Sequence, residues 1–106
     1  MRTSFGVIYR ERMIVGVCTI QLAIPMSDSL KAKRHALKPL IAYLRNHFNV
    51  SVAEVDDNDV WRRATIGVAC ISNDHKYAHG LLMQVVDAVE RRHYDATLVD
   101  YQIEMY

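Results

Sequence analysis

Glycine-rich phosphate loops, paired cysteines and long apolar runs are all missing from this chain. Its four glycines stand singly, so no loop carries the unhindered run of backbone N–H groups that cradles a nucleotide phosphate. The two cysteines, Cys18 and Cys70, lie inside apolar stretches without CxxC spacing. That pattern fits buried free thiols in a reducing compartment better than a disulfide framework. No apolar run approaches a membrane span. The first twelve residues, MRTSFGVIYRER, hold only a five-residue apolar run interrupted by a glycine, too short for a signal peptide. The expectation is a cytoplasmic protein with no membrane partner. Residues 1–12 are expected to be an N-terminal extension, and 13–106 a single domain.

Acid is also missing, but only from one segment. Net charge is +1, yet from Ser29 to Ala53 five Lys/Arg stand without a single Asp or Glu. From Glu54 to Tyr106 ten acids face five Lys/Arg. Such asymmetry predicts one basic face rather than a basic protein.

What is present is strong periodicity. "MIVGVCTIQLAIP" is rich in β-branched residues and ends at Pro25, which predicts a strand with Ile14, Cys18, Ile20, Leu22 and Ile24 on its more apolar face. "SDS" (27–29) supplies N-cap chemistry. Leu30, Leu37, Ile41, Leu44 and Phe48 then follow at helical spacing, with Pro39 inside the pattern predicting a kink. "NVSVAEV" and "ATIGVACI" predict two strands, and "SND" (72–74) caps a second helix through Ala78, Leu81, Leu82, Val85 and Val89, closed by Arg91, Arg92 and His93. "ATLVDYQIEMY" alternates, with Thr97, Val99, Tyr101, Ile103 and Met105 on one side. The order β-α-β-β-α-β predicts an α+β, ferredoxin-like domain. Its two helices would cover one face of a four-stranded antiparallel sheet, with the first and third strands central. Cys18 and Cys70 would then be neighbours on the helix-covered side.

Catalytic and metal-binding patterns do not assemble. The stretch "NVSVAEVDDNDVWRRA" (49–64) offers Glu54, Asp56, Asp57 and Asp59 as hard oxygen ligands. It lacks the glycine and distal glutamate of an EF-hand, and Arg62 and Arg63 can neutralise it. Asn and Asp are also what a turn uses, so a charged turn is expected rather than a metal-dependent hydrolase. Trp61 is expected to anchor a strand start or serve an interface. His75 and His79 are four apart, a zinc-compatible spacing without a third ligand, and are expected to lie in a solvated first turn. No Ser or Cys stands in a nucleophile motif. No catalytic residue, metal or cofactor is expected, and the chain is not expected to be an enzyme.

The basic segment carries the functional expectation. At about 100° per residue, Lys31, Arg34, Lys38 and Arg45 fall within roughly 60° of one another, a ribbon flanking the apolar stripe. Lys33 projects to the other flank. Lys31, Lys33 and Arg34 crowd the first turn, where the helix dipole is already positive and only Asp28 offsets them; a bound anion would relieve that cost. Binding of an RNA or ribosomal phosphate backbone through Lys31, Arg34, Lys38 and Arg45, with Lys33, Arg62 and Arg63 as weaker contributors, is therefore expected. The open-face candidates Val15, Val17, Thr19, Gln21, Arg63, Thr65 and Ala69 include no aromatic platform for stacking bases. That apolar face could instead serve a homo-oligomeric, for instance dimeric, regulatory or scaffold protein.

"SLKAKR" (29–34), "RNHFNVSVAEVDDNDVWRRA" (45–64) and "IGVACISND" (66–74) together resemble the YlxP-like family, small bacterial proteins assigned a domain of unknown function. The resemblance covers about Met13 to Tyr106. It implies a ferredoxin-like fold, no established enzymatic activity and, because the family's genes often lie among translation factors, a ribosome- or RNA-associated role. The family pattern usually has a further basic residue where His47 stands here. No family active site exists to carry over.

Overall fold

A computed structural model describes residues 13–92 and 95–106; the expected N-terminal extension and His93 lie outside them. Six elements follow in order: β1 (Ile14–Ala23), α1 (Leu30–His47), β2 (Ser51–Asp56), β3 (Arg63–Ser72), α2 (His75–Arg91) and β4 (Thr97–Met105). The sheet is antiparallel throughout, in the order β2-β3-β1-β4, so β1 and β3 are central as the ferredoxin-like pattern requires. Strand alternation then separates two faces. Cys18, Ile20 and Leu22 pair with Val68, Ile66 and Ala64 in a buried layer beneath the helices. Val15, Val17 and Thr19 pair with Ile71, Ala69 and Gly67 on the open face.

Helix starts follow the capping chemistry. The Ser29 hydroxyl accepts from the Ala32 N–H, and the Asp74 carboxylate accepts from the Lys76 N–H, each satisfying a donor that the first turn cannot. α1 is assigned continuously from Leu30 to His47, with Pro39 inside it. Pro39 and His35 are both exposed residues, and proline has no N–H to offer the His35 carbonyl. His75 and His79 lie exposed at the start of α2.

One register detail departs from simple alternation. Between Gln21 and Leu22 the β1–β4 pairing shifts: Gln21 faces Asp100 while Leu22 faces Leu98. Val99 is the extra residue of this irregularity and is exposed, and Leu98 takes the inward place expected for it. Alternation alone could not reveal an inserted residue.

Gly16 of β1 lies close beneath α2: an added Cβ would lie 2.9 Å from Leu82 Cδ1 and 3.3 Å from Cys70 Sγ. Cys18 and Cys70 are free and buried on this helix-covered side. Burial pushes the Cys18 thiol up from 9.0 to about 11, because the thiolate would have no water around it. The unfolded chain therefore loses its Cys18 proton first as pH rises. The stability due to this thiol is complete below pH about 9 and lost as pH approaches about 11. A urea-unfolding series across that interval should show a declining midpoint in the native chain, and a flatter one in Cys18→Val.

Candidate functional site

The cationic ribbon and the lysine beside it meet different fates. Lys31, Arg34 and Lys38 are exposed and line one groove of about 780 Å³ at the N-terminal half of α1. Ile24, Met26 and Ser27, which follow β1, form another wall. His35 of α1 and Asp95, just before β4, also line the groove. Among the described residues, Lys31, Arg34 and Lys38 have no ion-pair partner. Their like charges are brought together without an opposing carboxylate from α1, which has no acid in its first turn.

Arg45 extends the ribbon less freely. With Lys38 it lines a second, smaller depression of about 490 Å³ that also includes Glu54. Its Nη2 donates to the Val52 carbonyl at 2.6 Å, which ties the guanidinium to β2. Arg62 is exposed, and its Nε donates to the Ser27 carbonyl at 3.0 Å, bracing the groove's wall. Arg63 pairs with Ala23 on the sheet face opposite the helices and lies 3.8 Å from the Asp57 carboxylate. It is not gathered with the ribbon.

Lys33 corrects the expected set. It is 1% exposed, inside the helix–sheet interface. Its Nζ lies 2.7 Å from Glu54 Oε2 and donates to the carbonyls of Asp57 at 2.6 Å and Val60 at 2.8 Å. Two of the ammonium's three protons go to these carbonyls. The Glu54 contact is ionic, since Oε2 has no well-aligned hydrogen bond of its own. Lys33 cannot reach a phosphate on the surface. The missed signal was spacing: Lys33, Leu37, Leu40 and Leu44 recur at intervals of four, three and four, which is the buried face itself.

The same contacts explain the acidic stretch. Glu54 turns inward to Lys33, whereas Asp57 takes a left-handed conformation (φ 61°) that aspartate tolerates better than most residues. Asp57 accepts from Thr65 Oγ1 at 2.9 Å, and its N–H donates to Asp56 Oδ1 at 2.8 Å. These carboxylates hold a turn. Trp61 sits in the same connection and remains half exposed.

At the far end of α1, the His47 ring stacks on Tyr43 at 3.8 Å between centroids, and the Arg92 guanidinium lies 3.7 Å over the Tyr43 ring. This packing joins the helix ends through cation–π attraction. His47 therefore serves as a stacking partner.

The comparisons agree with this architecture. The chain is 30% identical to the uncharacterized protein YlxP of Bacillus subtilis (strain 168) over 77 residues, covering 73% of this chain and 84% of that protein. It resembles the de novo designed protein Foldit4 with a TM-score of 0.50 at 10% identity, covering 89% of this chain and 96% of that one, a likeness of fold alone. Residues 15–103, from the second residue of β1 almost to the end of β4, match the model of the family described as a protein of unknown function, DUF503, and the chain belongs to that family.

Proposed function

We propose that this protein is a non-enzymatic RNA- or ribosome-associated module that binds phosphate backbone through the basic face of α1. One observation carries this reading: Lys31, Arg34 and Lys38 remain exposed, share one groove and have no ion-pair partner among the described residues. Cations held together cost self-repulsion, and a polyanion removes that cost while releasing its condensed counterions. Arg45 and Arg62 would contribute less, because each already donates to a backbone carbonyl. Contacts of this kind position a strand without choosing its sequence. The test is co-sedimentation of the full chain with ribosomes at low and high salt. Association lost as salt rises supports the reading, and no association at low salt rejects it.

A second reading, a homodimeric regulatory or scaffold protein, draws on the open sheet face. Ile71 is 71% exposed there beside Val15, Val17 and Ala69, and Val55 is 57% exposed next to Gly67. Under this reading sedimentation equilibrium finds a dimer that Val17→Asp dissociates. A monomeric native protein at high concentration excludes it.

A further inference from the structure

We infer that the groove beside α1 receives one unpaired base of a bound strand, so that the nucleic acid is single-stranded where it meets the helix. The inference rests on the phosphate-binding reading and adds the part of the ligand that phosphate contacts leave unspecified. Backbone binding alone needs only an exposed ridge of cations. Here Lys31, Arg34 and Lys38 instead border a concavity of about 780 Å³, within the range of small-molecule sites. Its apolar surface comes from Met26 and Ala32, with the buried Ile24 and Ala36 behind them. Duplex RNA keeps its bases stacked and offers only sugar and phosphate, which would leave such a concavity unfilled. An unstacked base presents a flat apolar face beside its own phosphate, matching apolar walls beside cations.

Two residues sharpen the match. Met26 is 86% exposed, and its flexible, polarizable thioether is suited to packing against a flat ring. Asp95 is the one carboxylate among the described residues lining the groove. A phosphate would be repelled there, whereas a base can donate to a carboxylate through an exocyclic amino group. An acyl chain would bring no donor for it. The charge distribution thus places phosphate along Lys31, Arg34 and Lys38, and a base edge towards Asp95.

The test is fluorescence anisotropy on the full chain with four probes of equal length: single-stranded RNA, its abasic counterpart, duplex RNA and single-stranded DNA. Single-stranded RNA should bind about 10-fold more tightly than the abasic strand, the effect of seating one base. Ala32→Phe, which intrudes into the groove, and Met26→Ser, at an exposed position, should each bring its affinity down towards the abasic value. Abasic or duplex probes binding as tightly as the intact strand would overturn the inference while leaving phosphate binding in place. So would two folded variants that both bind as the native chain does. Equal affinity for DNA keeps the unpaired base and removes any role for the ribose hydroxyl. If no probe binds at low salt, the phosphate reading and this inference fall together.

Discussion

Lys33→Ala should lower unfolding stability by about 3 kcal/mol or more, the cost of leaving one member of a buried ion pair behind. For a domain of this size that corresponds to a fall in Tm of roughly 15 °C. The removed ammonium is 1% exposed and satisfies Glu54 and the carbonyls of Asp57 and Val60 together. Its loss strands a carboxylate and two loop carbonyls at the junction of α1 with the β2–β3 connection. Apolar replacement of both charged partners, Lys33→Met with Glu54→Leu, removes the stranded charge but leaves the two carbonyls without their donor. The double variant should therefore recover only part of the loss, since each buried unpaired polar group still costs about 1–3 kcal/mol. Thermal unfolding of the three proteins checks this. A single variant within about 1 kcal/mol of the native chain would show that Lys33 is not a structural staple.

Replacing Lys31, Arg34 and Lys38 together by glutamine should abolish co-sedimentation with ribosomes and leave the fold intact. All three side chains are exposed and none is ion-paired among the described residues, so neutralising them breaks no internal contact. Relief of their mutual repulsion should hold stability at or slightly above the native value. Three phosphate contacts to a single strand imply an affinity that falls about 20-fold between 50 and 200 mM salt. The contrast with Lys33→Ala separates the roles of neighbouring lysines. Below its lowered Tm, the Lys33 variant should still bind with native salt dependence. The triple variant should be as stable as the native protein and not bind.

Much of the architecture was legible because each element repeats its signal. β-branched alternation marked β1 and β3, and Ser29 and Asp74 marked the helix starts. Two failures have a common cause. By charge Lys33 belongs with the surface cations, although its spacing from Leu37, Leu40 and Leu44 assigns it to the core; only the inward-facing Glu54, twenty-one positions later, makes that burial tolerable. Val99 was grouped by alternation, which an unpaired residue in β4 interrupts. Both depend on a partner in another element. The ribbon itself was readable, since Lys31, Arg34 and Lys38 share one helix face. The groove was not, because Ile24, Met26 and Asp95 reach it from segments far apart in the chain. Arg63 failed to join the ribbon because strand alternation turned it to the opposite face.

The most direct measurement is the slope of log affinity against log salt for single-stranded RNA, taken on the native chain and on the triple glutamine variant. The expected slope is about −2 for the native protein, three phosphates at about 0.7 each, collapsing towards zero in the variant. Equal slopes for the two proteins would mean that the exposed cations of α1 do not meet the phosphates.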